Sequence, residues 1–348
     1  MAGIKSKVIG EIKRGRGVRR AHRRTLPRIA VAAILGILFL AAGFARADAY
    51  VYWYQWGTFG TGNGQFGWPW SATVAPNGRI YVTESRSNRI QYFTPDGSYL
   101  GQWGTSGTGD GQFMEPLGIA ATPDSNIYVL DHGNSRVQYF TPDGSFLGKW
   151  GSQGSADGRF YAPYGIAAGP DSSVYVADSF NYRVQKFNSV GSFLLKWGTS
   201  GLGDGQFQTP MGVGTAVDGN VYVCDIGRDD VQYFTPVGTF VGKFGGPGSG
   251  PGQFDDPQTV TVASNDEVFV VEYYGERVQR FTLAGSFLES FGQSGNGNGE
   301  FLWPSGITIG SDLRCFVVDG PHNRIQVFRR SPAAVVPASL GKIKALFN

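Results

Sequence analysis

The sequence predicts an all-β protein built as a six-bladed β-propeller, and three observations support this fold. An aromatic–glycine pair, first seen as Trp56-Gly57, occurs six times at a constant step of 47 residues. Each repeat holds four short β-rich runs separated by Gly, Pro and Asp turn residues. No run of helical period occurs beyond the N-terminal segment. Four strands in each of six repeats of this length are typical of propeller blades.

The third repeat shows how the four strands are assigned. Residues 165–168, 173–178, 183–188 and 192–197 are predicted as consecutive strands, and Gly169-Pro170-Asp171 forms a turn between the first two. The second strand, Ser-Val-Tyr-Val-Ala-Asp, is rich in β-branched and aromatic residues. The constant period transfers this assignment to the other repeats.

The last repeat contains only three strands, which end at Phe328. Residues 51–57 match the column of fourth strands. We therefore expect an N-terminal strand to complete the last blade and close the ring, which leaves no unpaired strand edge there. The predicted propeller spans residues 48–330, and residues 331–348 form a C-terminal tail.

The N-terminus has the layout of a secretory signal. Residues 1–28 are strongly basic, residues 29–44 are apolar, and Ala45-Arg46-Ala47 follows as an A-x-A site. This predicts a leader over residues 1–47 that is a signal peptide or, alternatively, one uncleaved transmembrane anchor. In both cases the basic flank stays in the cytoplasm, so the propeller is expected to be extracytoplasmic, either secreted or anchored.

The charge balance of the leader hides that of the remaining chain. Residues 1–47 carry 11 Lys or Arg and one Glu, whereas the rest carries 19 basic and 26 acidic residues. An acidic domain is a poor partner for a phosphate backbone, so nucleic-acid binding is not expected.

Cys224 and Cys315 occupy different columns of repeats four and six, which predicts two buried free thiols rather than a disulfide.

The repeat core reads Gly-Gln-Phe-x-x-Pro-x-Gly-Ile-Ala, followed by Tyr-Val-x-Asp-x-x-Asn-x-Arg-Val-Gln-x-Phe at residues 175–187. This pattern resembles the NHL repeat, and the resemblance covers residues 51–328. It implies a six-bladed ring whose relatives mostly bind proteins or RNA. Some relatives act as extracellular sensors or scaffolds, and a few are lyases. The fold alone does not choose among these functions.

Repeated polar residues are predicted to be scaffold. An acid and an arginine recur around the loop between the second and third strands, as at Asp178 and Arg183. We expect a structural ion pair that braces this loop.

Function is sought where the same loop face departs from the repeat. This face holds the Gly-rich links between blades and the loops between second and third strands. Exposed aromatic residues and arginines at a ring mouth are typical of a binding surface. The predicted ligand-binding residues are Trp70, Arg86, His132, Tyr164, Phe180, Met211, Arg228, Tyr273, Tyr274 and His322.

Blade four replaces the recurring arginine with Asp230. Together with Asp229, Asp255 and Asp256 it is predicted to project from this face at adjoining blades. Clustered carboxylates suit Ca²⁺, and a solvated acidic patch is the alternative. No other cofactor is predicted.

The sequence thus favours an exported, non-catalytic binding or scaffold module that recognises a protein or an envelope glycan. Catalysis has little support, because the propeller contains only His132 and His322 and no nucleophile motif. One alternative is an extracytoplasmic metal-dependent lyase or hydrolase. The other is an RNA-binding propeller, which acidity and export disfavour.

Overall fold

The computed structural model describes residues 49–331, which form six antiparallel four-stranded blades. The strands of blades one to three are β2 (Pro69–Val74), β3 (Ile80–Glu84), β4 (Arg89–Phe93) and β5 (Tyr99–Trp103); β8 (Pro116–Ala121), β9 (Ile127–Asp131), β10 (Arg136–Phe140) and β11 (Phe146–Trp150); and β12 (Pro163–Ala168), β13 (Val174–Asp178), β14 (Arg183–Phe187) and β15 (Phe193–Trp197).

The strands of blades four to six are β16 (Pro210–Thr215), β17 (Val221–Asp225), β18 (Asp230–Phe234) and β19 (Phe240–Gly245); β20 (Pro257–Val262), β21 (Glu267–Glu272), β22 (Arg277–Thr282) and β23 (Phe287–Phe291); and β24 (Gly306–Ile309), β25 (Cys315–Asp319), β26 (Arg324–Arg330) and β1 (Tyr50–Trp56). A short parallel pair, β6 (Thr105–Ser106) and β7 (Gln112–Phe113), and two 3₁₀ turns, His132–Asn134 and Ser179–Asn181, complete the elements.

The predicted all-β, six-bladed ring of four-stranded blades is confirmed. The four strands predicted in the third repeat agree within two residues with β12 to β15. In blade six the order is β1-β26-β25-β24, and β1 runs antiparallel to β26 with Tyr50 opposite Arg330. The predicted leader, residues 1–47, and nearly all of the predicted tail lie outside the described residues. Within residues 49–331, no helix is long and apolar enough to cross a membrane.

The alternating strand directions divide the loops between two faces. The Gly-rich links and the loops between second and third strands lie on one side, which we call the mouth face. The Asp-Gly turns, such as residues 94–98 between β4 and β5, lie on the other side, which we call the turn face. The predicted binding residues on the links and on the second-to-third-strand loops therefore share the mouth face.

The core lies between the blades rather than within one central cluster. Each of six apolar clusters joins residues of neighbouring blades. Between blades two and three, for example, Phe160, Val176 and Phe187 are fully buried. Burying such a side chain contributes about 1.5–3 kcal/mol, so the repeated apolar columns hold adjacent blades together. Cys224 and Cys315 are free and buried in these clusters, as predicted.

The recurring acid and arginine brace the Gly-rich links. Arg183 donates to the buried carboxylate of Asp178 at 2.8 Å and to the carbonyl oxygens of Ala156 and Arg159 at 2.9 Å. Equivalent ion pairs of 2.6–2.8 Å occur in blades one, two, five and six. The predicted scaffold role is confirmed, since each pair ties the link of a blade to its central strands.

Candidate functional site

The central channel is nearly closed at the mouth face. The innermost strands pass so close that a Cβ atom on Gly165 would lie 2.1 Å from the carbonyl oxygen of Met211. The cavity there, bordered by Trp70, Tyr164 and Gln258, is only about 40 Å³. Larger cavities of about 210 and 500 Å³ lie further along the channel and open towards the turn face. At the ring axis, a partner on the mouth face therefore meets a narrow opening rather than a wide pore.

The column after the recurring proline is more buried than the sequence indicated. Met211 is 6% exposed, and Leu117 and Ser305 in the same column are 1% and 3% exposed. Trp70 and Tyr164 remain half-buried and contribute to the surface. Met211, which was predicted to bind ligand, is largely buried because it already lies in β16, and it borders the small cavity at the channel mouth. Its part in ligand binding stays a prediction.

The loops between second and third strands provide the exposed predicted residues. Arg86 is exposed, Phe180 is 48% exposed and Tyr274 is 60% exposed. Tyr273 is half-buried, and its ring lies 5.2 Å from that of Tyr274 in an edge-to-face arrangement. These loops present rigid aromatic surface to solvent at the mouth face.

The two positions before the recurring proline add aromatic residues that the sequence analysis missed. Tyr161 packs edge-to-face against Phe180 with ring centroids 5.5 Å apart. Trp303 stacks on Tyr273 at 5.8 Å and is 39% exposed. The signal was present, because these residues fill the two variable positions of Gly-Gln-Phe-x-x-Pro. Each extends a predicted loop residue into an aromatic pair.

Trp68 occupies the second of these positions in blade one. Its backbone has a left-handed φ of 61°, and its N–H donates to Oδ1 of Asn323 at 2.9 Å. Glu115 repeats this arrangement in blade two, with φ 54° and an N–H donated to Oδ1 of Asn88 at 2.7 Å. The guanidinium of Arg86 lies 4.0 Å from the centre of the Trp68 ring. Side chains of the preceding blade therefore fix this otherwise rare backbone conformation.

His132 links blade two to blade three. Its Nδ1 lies 2.9 Å from the carbonyl oxygen of Pro163, and its ring lies 4.6 Å from that of Tyr164. Ser179, at the same position of blade three, donates its hydroxyl to Pro210 of blade four. His132 thus makes the same contact with the next blade that Ser179 makes one blade further on, which indicates a structural role.

His322 has different partners in blade six. Its Nδ1 lies 3.0 Å from both carboxylate oxygens of Asp319, and its Nε2 lies 2.7 Å from Oδ1 of Asn296. The imidazole braces the Gly-rich link against the recurring acid. The structure therefore does not bring His132 and His322 together as one site.

Blade four has Asp230 at the position of the recurring arginine, and Arg228, two residues earlier, takes over the role of that arginine. It donates to the carbonyl oxygens of Gly203 and Gln206 at 3.0 and 3.2 Å and to Oδ2 of Asp230 at 2.9 Å. These carbonyl groups are the blade-four equivalents of those bound by Arg183. With its side chain 6% exposed, Arg228 serves the scaffold and offers little surface to a ligand.

Three of the four predicted metal ligands, Asp229, Asp230 and Asp256, already have structural partners for their carboxylates. Oδ1 of Asp229 accepts the N–H of Asp256 at 3.0 Å, as Asn88 does for Glu115. Asp230 forms the ion pair described above, and Asp256 accepts from Gln258 at 2.8 Å. Among residues 49–331, no group of three or more His, Cys, Asp or Glu could hold a metal ion. Calcium binding here stays a prediction.

Electrostatics at this cluster make one aspartate unusual. Burial, together with the neighbouring carboxylates of Asp229 and Asp255, raises the pKa of Asp256 to about 6. Burial also raises the pKa of Asp229. The charge on Asp256 therefore changes near neutral pH rather than near pH 4.

The comparisons with known proteins agree with this architecture. A family model described as NHL repeat matches residues 66–93 and 113–140, in blades one and two. The other four repeats keep the same register and build the same blade. The chain is an NHL-repeat β-propeller. No curated protein gave a match to its sequence.

Solved structures share the fold of this NHL propeller at low sequence identity. Virginiamycin B lyase from Staphylococcus aureus is 15% identical, with 80% of this chain and 99% of that chain covered and a TM-score of 0.56. A gluconolactonase from Xanthomonas campestris is 14% identical, with 77% and 88% covered and a TM-score of 0.58. A protein of unknown function from Bacteroides thetaiotaomicron is 17% identical, with 81% and 76% covered and a TM-score of 0.63. These similarities concern the fold alone.

Proposed function

We propose that this NHL propeller is an exported, non-catalytic binding module that recognises a protein or an envelope glycan through its mouth face. The export proposal rests on the basic, apolar and A-x-A pattern of residues 1–47. The binding proposal agrees with the general role of NHL propellers, which mediate protein interactions.

The unequal distribution of exposed aromatic residues carries the proposal. On the mouth face Tyr161, Phe180, Tyr274 and Trp303 are each 39–60% exposed. Among residues 49–331, no turn on the turn face carries an exposed Phe, Tyr or Trp, although Phe287, 36% exposed, begins β23 directly after one such turn. The exposed large apolar residues within these turns are valines such as Val217. Large aromatic side chains with few rotatable bonds are the residues that dominate binding energy at interfaces.

A paired-variant experiment tests the choice of face. Phe180→Ala combined with Tyr274→Ala should weaken capture of the partner from native envelope extract by more than about 1 kcal/mol per residue, roughly 30-fold in all. The melting temperature should change little, because both side chains are largely exposed. Val217→Ala with Val237→Ala is the matched control on the turn face.

The outcome separates the two faces directly. The proposal requires the mouth-face pair to lose binding and the turn-face pair to retain it. Loss of binding in the valine pair, with normal binding by the aromatic pair, would place the interaction on the turn face.

A further inference from the structure

A cleft on the mouth face between blades one and two has a different composition from the rest of the ring. It is a shallow cleft, open to solvent, with a volume of about 520 Å³. Its walls come from the start of blade one, the loop between β3 and β4, and the link to blade two. The side chains that characterise it are Trp68, Trp70, Arg86, Asn88, Met114 and Glu115.

The apolar part of the cleft is aromatic and ordered. Trp68 and Trp70 both line it and are both half-buried. The hydrogen bond from the Trp68 N–H to Asn323 fixes the backbone at that indole. Met114 is 44% exposed and adds a thioether to the wall. A ligand that packs an apolar face against these side chains therefore does not have to offset the conformational entropy of ordering them.

The polar part of the cleft carries two charges of opposite sign. The hydrogen bonds and ion pairs found among residues 49–331 include none to the Arg86 guanidinium or the Glu115 carboxylate, and the two do not pair with each other. Arg86 is held by its contact with the Trp68 ring, and the Glu115 backbone is held by Asn88. The Arg86 guanidinium and the backbone of Glu115 are thus positioned by the protein, and both charged groups have hydrogen-bonding capacity left for a ligand.

These two groups offer complementary hydrogen-bonding roles. A guanidinium only donates hydrogen bonds and an ionised carboxylate only accepts them. A ligand that satisfies both, and also packs on indole, needs donors and acceptors around an apolar face. A pyranose ring has this character, since its hydroxyl groups both donate and accept while its C–H face is apolar.

We propose that this cleft is a saccharide-binding site, which names a ligand class for this part of the mouth face and rests on the function proposed above. Its volume lies within the usual range for small-ligand sites, about 300–1,000 Å³. A peptide that adds a strand would need a free strand edge, whereas loops and a link form these walls. The proposed ligand is therefore a short stretch of an envelope glycan.

The test uses the full chain and a defined probe, the protease-digested polysaccharide fraction of the native envelope. Binding is measured by calorimetry and by tryptophan fluorescence, with a periodate-oxidised portion of the same fraction as comparison. We expect wild type to bind the digested fraction and to lose at least tenfold in affinity after oxidation destroys vicinal diols. Arg86→Gln and Glu115→Gln should each lower affinity roughly tenfold, since each removes a charge-assisted hydrogen bond.

Glu276→Gln is the matched control, because this residue lies in the corresponding loop of blade five, away from the cleft. It should bind the fraction as wild type does, and all three variants should keep the wild-type melting temperature. Normal binding by Arg86→Gln and Glu115→Gln would overturn the proposed site.

Two further results distinguish this inference from the function on which it rests. Binding that survives periodate but disappears after protease treatment would overturn the saccharide assignment and leave a protein-binding module. Absence of binding to both digested and undigested envelope extract would overturn the proposed function as well.

Discussion

Blade four departs from the repeat at two buried polar positions, and the effect of this departure on the free energy of unfolding can be measured. In blade three, Asn181 and Arg183 both donate to Asp178. Blade four instead has Arg228 and Asp230 at the equivalent positions. The double variant Arg228→Asn, Asp230→Arg gives blade four the arrangement of blade three, and we expect it to be more stable than the wild type.

The expected gain follows from the burial of two carboxylates. Asp230 is 7% exposed, and its Oδ1 has no hydrogen-bond partner among the described residues. Asp225 is fully buried and lacks an arginine like the one that pairs with Asp178. An unsatisfied buried acceptor costs about 1–3 kcal/mol, and the link carbonyls stay bonded in both forms. The double variant should therefore gain about 2 kcal/mol in free energy of unfolding, or about 4 °C in Tm.

The gain should depend on pH in a defined direction. Burial raises the pKa of Asp225, and the charge of Asp230 adds to this shift. Burial also raises the pKa of Asp230 itself. Raised carboxyl pKa values mean that wild-type stability falls as pH rises through them, because the ionised forms are disfavoured in the folded state. The variant's advantage should be largest at pH 7–8 and shrink as the pH is lowered.

The assay is urea denaturation with calorimetry at pH 5 and pH 7.5. The reciprocal variant in blade three, Asn181→Arg with Arg183→Asp, is the matched control and should lose stability by a similar amount. A double variant in blade four that is no more stable than wild type at pH 7.5 would refute the reasoning. So would a blade-three variant of unchanged stability.

Three more results are expected. Asp256→Asn should raise the free energy of unfolding by about 1–2 kcal/mol at pH 7.5 and leave it nearly unchanged near pH 4. The pKa of Asp256 is raised to about 6, so its ionisation destabilises the folded wild type progressively as the pH rises from about 4 to 6 and fully above that. Partial exposure reduces the full linkage value, and denaturation at both pH values checks the prediction. Deleting residues 48–57 should expose the edge of β26 and promote aggregation, measured by light scattering, whereas a variant that stays monomeric at the wild-type Tm would contradict it. The intact mass of protein from the native envelope should correspond to a chain that begins at Asp48; a mass that includes residues 29–44 would favour the anchor.

The fold was predictable because the same physical demands recur at a fixed spacing. Val176 and Phe187 belong to columns that are apolar in every repeat, and both are fully buried. The ion pair of Asp178 and Arg183 was predictable for the same reason. A residue type that recurs at the same position in all six repeats indicates a structural role, and this inference does not depend on which ligand the protein binds.

The candidate site was less predictable because it consists of the positions that vary. Trp303 and Tyr161 fill variable positions, which marks them as candidates, but comparison of repeats does not report that they pair with the loop residues Tyr273 and Phe180. Met211 and Arg228 looked like surface residues, but their burial depends on contacts between distant parts of the chain. Asp229 resembled a metal ligand, whereas its carboxylate accepts a backbone N–H from the next blade. Contacts between blades decide the roles of Met211 and Asp229, and contacts with the Gly-rich link of its own blade decide that of Arg228. The spacing within one repeat does not report these contacts.

The pairing of β1 with β26 also has a consequence for the order in which the protein folds. In blade one, Arg89 bonds Gln102 across 13 residues, and in blade six Arg324 makes the same bond to Gln55 across 269 residues. Loop-closure entropy makes the longer closure less favourable by about 3 kcal/mol. The first five blades can each form from local hairpins as the chain emerges, whereas the sixth must wait for both ends to meet. A circular permutant that joined residue 331 to residue 49 through a short turn would make this step local and should shorten the slowest refolding phase.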